Sequence, residues 1–291
     1  MKKLTILVFI ILSSFSFAEV KAVATTTIIY DLVKNIGGDK VEVDYLCRGN
    51  QDPHFLEVMP SYMLKLRSAD LIFKIGLDLE KWLPQLIDGS RNTNVQVIDL
   101  SQNIQKLEVP STKMDARYGD VHPYGNPHYY LDPVDVKIMA GEIYDALSAQ
   151  DPGNAAFYEK NYENYIKTLN AKIDDWNKKM AKVKGEPIVF FHSSWIYFAD
   201  QYGIKIAGYV EPKPGIPPSP SHNAEIINLI KKSKVKLIVM ENYYSDSAPN
   251  QIASVTGVKV IKVPVGVYGM DGIDSYFKMM DYIVNQIVSN S

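Results

Sequence analysis

The chain has 291 residues, 46% of them hydrophobic and 22% charged, the balance of a globular protein with a substantial core. A net charge of −2 offers no basic footprint for nucleic acid, and the single cysteine, Cys47, leaves no internal disulfide to form. At this length two lobes of ordinary size are expected in place of one oversized domain.

Residues 1–18 stand apart. Lys2 and Lys3 precede an apolar run from Leu4 to Phe17, and Ser16, Phe17 and Ala18 lead to Glu19. This basic, apolar, small-residue order is that of a secretory signal peptide cleaved after Ala18. The run is shorter than the roughly 18 apolar residues of a membrane span, so export is expected and anchoring is not. No cysteine follows the run where a lipid-anchored precursor needs one. The expected product is a free periplasmic protein.

From residue 19 onward, short β-rich runs alternate with amphipathic segments. "KAVATTT", "VEVDYLC", "ADLIFKIG" and "VQVIDL" occupy the first part, and "PIVFFH", "IKIAGYV", "VKLIVME" and "VKVIKVPV" the second. Such alternation builds βαβ units on parallel sheets. The fold class expected is α/β: two lobes, 19–150 and 186–291, each with a parallel four-stranded sheet flanked by helices. Between them, Tyr162, Ile166, Leu169, Ile173, Trp176, Met180 and Val183 recur at spacings of four and three. That stripe predicts one long rigid backbone helix across 151–185, with Asp151 as N-cap, Pro152 in the first turn, and Gly185 and Pro187 ending it. About thirty residues at 1.5 Å each span roughly 45 Å, a strut along both lobes. Residues 101–127 show no sustained period, and a loop this long is expected to be functional or to move.

Three of the five histidines fall at strand or loop ends. His54 follows the second strand, His128 closes the long loop before a helix, and His192 ends "PIVFFH". Open parallel sheets place ligands beyond the carboxyl ends of their strands, so two facing lobes bring these rings together. Three imidazoles and one carboxylate make a closed tetrahedral set for zinc. Glu241, which ends "VKLIVME", is the expected fourth donor, with Asp246 and Glu211 as competitors. His122 reads as a solvated loop histidine near enough to feed metal to the site, and His222 as a helix-entry residue. Cys47 reads as a small buried hydrophobe.

Four segments in order, "DPHFLEVMPSYMLKLRSADLIFKIGLDLEKWL", "NPHYYLDP", "HSSWIYFADQYGIKIAG" and "PSPSHNAEIINLIKK", resemble the substrate-binding proteins of bacterial ABC importers for zinc, manganese and iron. The resemblance covers essentially the whole chain after residue 18. It implies two α/β lobes on a backbone helix, one divalent ion in the cleft, and delivery to a cognate ABC permease in the inner membrane. The family's first three ligands match His54, His128 and His192. Histidine at the third position, where manganese-selective relatives carry a carboxylate, favours Zn2+ over Mn2+ or Fe2+. Two departures stand out. The aspartate that many relatives supply after the last strand is missing from "KVIKVPVGVYG", and the long histidine-rich loop of many zinc-binding relatives is reduced to His122.

The expected function is capture of a divalent transition metal, zinc first, by a monomeric non-enzyme. Ligand nitrogens must be free of protons, so affinity is expected to collapse below the usual histidine pKa of about 6.5. A helix bridging the lobes suggests small rocking or loop ordering in place of wide hinge closure. The alternatives are a manganese- or iron-specific protein on the same fold, a secreted zinc-dependent hydrolase, since three histidines and a water make a catalytic centre, and a surface adhesin. No HExxH stretch supports the hydrolase, and Glu241 as ligand or as base separates it from a binding protein.

Overall fold

The computed structural model describes residues 19–111, 122–213 and 215–291. The signal peptide expected at 1–18 and the middle of the 101–127 loop lie outside the described residues. Among those described, no helix is long and apolar enough to cross a membrane.

The first sheet holds β1 (Val20–Ala24), β2 (Val41–Tyr45), β3 (Leu71–Lys74) and β4 (Gln96–Asp99), all parallel, in the order β2-β1-β3-β4. Helices α1 (Thr27–Gly37), α2 (Pro60–Arg67) and α3 (Leu83–Ser90) make the crossovers. The second sheet repeats the plan with β5 (Pro187–Phe190), β6 (Lys205–Tyr209), β7 (Leu237–Glu241) and β8 (Lys259–Val263) in the order β6-β5-β7-β8. Here α6 (Ile196–Tyr202), α7 (Pro220–Ser233) and α8 (Ser247–Thr256) connect the strands. Apolar runs without alternation, such as Leu71 to Phe73 and Leu237 to Met240, are buried because helices cover both faces of each sheet. In both sheets the strand order reverses at the first strand, which opens a crevice at the carboxyl ends there.

Helix α4 (Pro133–Gln150) leads into the long connector. The connector comprises a 3-10 turn at Pro152–Asn154, α5 (Ala155–Met180) and a second 3-10 turn at Ala181–Val183, so its ends are wound more tightly than one continuous helix predicts. Asp151 still organises the entry: its Oδ2 accepts from Asn154 Nδ2 at 2.7 Å and from the Tyr158 hydroxyl at 2.8 Å. Leu169, Ile173, Trp176 and Met180 are buried as the stripe predicts. Toward the N-terminus burial shifts to Tyr158 and Tyr165, while Tyr162 stacks on Tyr144 of α4 with ring centres 5.2 Å apart. There α5 is packed from two sides, by α4 and by α1, and the stripe widens accordingly.

One apolar cluster runs without a break through both lobes. It joins Leu32 and Ile36 of α1, Met139 and Ile143 of α4, the α5 stripe, Phe190 of β5, and Met280 and Ile283 of the last helix, α9 (Tyr276–Asn290). The outer face of each sheet has its own smaller cluster, around Leu66, Trp82 and Leu86 in the first lobe and around Ile226, Ile238 and Ile252 in the second. Polar ties reinforce the join. Asp281 of α9 accepts from Trp176 Nε1 at 2.8 Å and pairs with Lys172 at 2.5 Å. Gly49, after β2, meets the loop after β8 so closely that an added Cβ would stand 2.0 Å from the Val267 carbonyl oxygen.

Asp31 of α1 takes the first backbone N–H of α9, from Tyr276, at 3.0 Å. Burial pushes its carboxyl up to about 6, against the hydrogen bonds from Tyr276 and Asn35. The folded state therefore holds this proton more tightly than the unfolded chain, where the value is about 3.9. The contribution of Asp31 to stability is most favourable below about pH 4 and is lost as pH rises through about 6, a difference of about 3 kcal/mol. Chemical denaturation of the parent and of Asp31→Asn between pH 4 and pH 7.5 is expected to show the parent losing ground to the variant across that window. A parent that gains on the variant as pH rises contradicts the assignment.

Candidate metal centre

Three strand or loop ends deliver three imidazoles to one point. His54 lies in the loop after β2, His192 follows β5, and His128 opens a 3-10 turn, His128–Leu131, ahead of α4. Their ring centres are 5.1, 5.3 and 5.4 Å apart pairwise, and one ligand nitrogen from each lies within 4.8 Å of the others. Among the described residues this is the one group of histidine, cysteine and acidic side chains that converges in this way. All three rings are buried, at 7%, 1% and 2% exposure for His54, His128 and His192.

The opposite nitrogen of each ring is held by the protein. Asp52 Oδ1 accepts from the backbone N–H of His54 at 3.0 Å and from its Nδ1 at 2.7 Å. His128 Nδ1 is 2.8 Å from the Tyr130 hydroxyl, and His192 Nδ1 is 2.5 Å from Glu211 Oε2. A carboxylate only accepts, so at His54 and His192 the proton sits on Nδ1 and the lone pair on Nε2. The same tautomer follows for His128 when Tyr130 accepts. For His128 and His192 the Nε2 atoms are buried without a hydrogen-bond partner. Each such nitrogen costs about 1–3 kcal/mol unless a ligand satisfies it.

The electrostatics fit a cation. Burial, and then the neighbouring imidazoles, push His128 well below the ordinary histidine value, so it is a neutral donor. Burial alone would lower His192 too, but its hydrogen bond to Glu211, with Glu241 and Asp52 nearby, raises it. Burial would raise Asp52, yet its bonds to His54 hold it low. The carboxylates of Asp52 and Glu211 thus stand one ring behind the ligand nitrogens, where they orient imidazoles and balance the charge of a bound ion. Tyr244 of the second lobe spans the cleft, its hydroxyl 3.1 Å from Asp52 Oδ2 and its ring 5.7 Å from that of His192.

The other candidates are outside the converging group. Glu241 is fully buried at the end of β7, where Oε1 accepts from the Ser194 hydroxyl and, at 2.9 Å, from Trp195 Nε1. It is not in the group of converging donors. Burial pushes its carboxyl up, against the His192 imidazole and those two hydrogen bonds. Glu211 serves His192, and Asp246 pairs with Lys262 at 3.6 Å near the surface. His222 sits in the first turn of α7, its Nε2 3.0 Å from the Tyr209 carbonyl oxygen. His122 stands closer than a solvated loop residue should, its ring 5.2 Å from that of His54 and 6.5 Å from that of His128.

Sequence reasoning missed the supporting residues. Asp52 and Tyr130 each lie two positions from the histidine they hold, a local signal in "DPH" and "HYY". Glu211 carried no such signal, because nineteen residues separate it from His192 and only the pairing of β5 with β6 brings them together.

Comparison with known proteins bears on the family and the fold. The family model described as zinc-uptake complex component A, periplasmic (ZnuA) matches residues 22–290. The manganese ABC transporter substrate-binding lipoprotein PsaA of Streptococcus pneumoniae is 28% identical over 280 residues, covering 92% of this chain and 88% of the relative. The metal ABC transporter substrate-binding lipoprotein SloC of Streptococcus mutans is 27% identical over 310 residues, covering 99% of each. Among solved structures, a crystal structure of ZnuA superposes with a TM-score of 0.81 at 24% identity over 94% of this chain and 100% of that one. A manganese-bound periplasmic metal-binding protein from Candidatus Liberibacter asiaticus gives 0.79 at 26% identity over 93% and 98%. With the family's model matched along nearly the whole chain and the fold shared end to end, this protein belongs to the ZnuA family, the metal-binding substrate-binding components of ABC importers.

Proposed function

We propose that the protein captures a zinc ion in the cleft through Nε2 of His54, His128 and His192, and hands it to the permease of its importer from the periplasm after cleavage of residues 1–18. The observation that carries this reading is the convergence of three ligand nitrogens within 4.8 Å in a buried pocket. Imidazole donors suit zinc, whereas manganese favours oxygen, and among the described residues no carboxylate joins the converging group. Glu241 then acts as a buried anchor for Ser194 and Trp195 that lends negative charge to His192. Manganese is the second reading, favoured by the PsaA relatives, whose names specify it.

The same geometry argues for binding without catalysis. A hydrolase needs a general base within reach of a metal-bound water. Among the described acids, Asp52 and Glu211 are hydrogen-bonded to Nδ1 of two of the histidines, and Oε1 of Glu241 to Ser194 and Trp195.

Titration of the metal-free protein is expected to show one zinc ion per chain, bound at least about 100-fold more tightly than manganese. His54→Ala, His128→Ala and His192→Ala should each cost about 100-fold or more, since even residues one step behind a ligand cost 10–100-fold. Manganese bound as tightly as zinc moves the assignment to the second reading, and zinc affinity untouched by all three variants ends both.

Glu211→Gln retains an acceptor for His192 Nδ1 and removes the charge. Zinc affinity is expected to fall by about 10–100-fold with one ion still bound, read by competition with a chelator. An unchanged affinity would mean that the carboxylate behind His192 has no part in holding the ion.

A further inference from the structure

The geometry points to His122 as the fourth protein donor, which closes the site as a set of four imidazoles. The inference deepens the reading of His54, His128 and His192 as ligands and rests on it. A tetrahedral zinc site needs four donors. Among the described acids near the three rings, Asp52 and Glu211 are hydrogen-bonded to Nδ1 of His54 and His192, and Glu241 is outside the converging group. The segment after β8 contributes no acid either: Val265 and Val267 are buried there as apolar residues.

His122 is placed as the other three are. Its ring is 5.2 Å from that of His54, the same spacing that His54 keeps from His128 and His192. Its Nδ1 lies 3.2 Å from the Leu77 carbonyl oxygen. A carbonyl only accepts, so this nitrogen carries the proton and Nε2 the lone pair. That Nε2 is shielded from solvent although the residue as a whole is half-buried. One device therefore recurs four times, with Nδ1 held by Asp52, Tyr130, Glu211 and the Leu77 carbonyl in turn.

The Leu77 carbonyl is itself costly to position. Gly76, Leu77 and Asp78 turn off the end of β3 with φ of 84°, 52° and 63°, the left-handed region that leucine and aspartate rarely enter. Such conformations persist where the surroundings enforce them. The buried Glu80 does so here: Oε1 accepts from Ile75 N at 2.7 Å and from the Thr25 hydroxyl at 2.6 Å, and Oε2 from Gly76 N at 2.9 Å. Gly76 has no substitute, because a Cβ would stand 2.1 Å from Asp99 Oδ1. A strained turn pinned by a buried acid thus presents an acceptor to a ring that faces the metal centre.

His122 is not in the group within 4.8 Å, so it has the largest step to make. Zinc–nitrogen bonds of 2.0–2.1 Å set tetrahedral donors about 3.4 Å apart, so His122 moves inward on binding. With the fourth corner filled by the protein, a bound ion keeps no exchangeable water.

Cobalt(II) in place of zinc makes coordination visible. The full protein loaded with cobalt is expected to give a four-coordinate absorption spectrum that is unchanged between pH 6.5 and 9 and insensitive to azide. His122→Ala should melt at the parent's temperature, bind cobalt at least about tenfold more weakly, and acquire a spectrum that shifts with pH and azide as water takes the fourth corner. Added imidazole should restore the parent spectrum. An azide-sensitive parent, or a His122→Ala variant with unchanged affinity and spectrum, overturns the assignment. His54→Ala run alongside separates the two levels: loss of cobalt there leaves the three-histidine centre standing, whereas full binding there removes the centre itself.

Discussion

Three nitrogen lone pairs facing one another in a dry pocket are the constraint on which this structure depends. Those of His128 and His192 are buried without a hydrogen-bond partner, and each costs about 1–3 kcal/mol in that state. Asp52, Tyr130 and Glu211 hold the rings from behind, and the two carboxylates set the tautomer of His54 and His192. A divalent cation shared by the three rings would satisfy both of those nitrogens. The two carboxylates behind His54 and His192 then balance its charge without displacing imidazole from the metal.

Holding that arrangement demands a stiff frame. The donors come from both lobes, and a hinge that opened freely would let the pocket fall apart between encounters. The continuous apolar cluster from α1 through α5 to α9, the Asp281 and Asp31 ties, and the close approach at Gly49 oppose such opening. The Tyr244 to Asp52 hydrogen bond shows how little separates the two walls, a single hydroxyl reaching across the cleft.

Much of this was legible in the amino-acid order. Unbroken apolar runs declared the parallel sheets, since only strands covered on both faces can be apolar throughout. Polar residues at the mouths of those runs marked the carboxyl ends, and His54, His128 and His192 stood out there for the same reason. Glu241 stood out equally, and the signal is ambiguous: an acid after a buried strand reads as a ligand or as an anchor. Ser194 and Trp195, brought to its Oε1 by the pairing of β5 with β7 from nearly fifty residues away, support the anchor and carry no sequence signal. His122 was illegible in the opposite sense. It sits among prolines and glycines without a period, and its place beside His54 depends on a left-handed turn at Leu77 that has no counterpart in hydrophobic pattern. The ends of the backbone helix were also blurred, because 3-10 winding preserves the apolar stripe while changing the hydrogen bonds.

X-ray absorption at the zinc edge of the loaded protein tests the central claim most directly. A shell of nitrogen neighbours at about 2.0–2.1 Å, with outer-shell scattering from three or more imidazole rings, is the result the structure predicts. A first shell dominated by oxygen, with one imidazole or none, would contradict it.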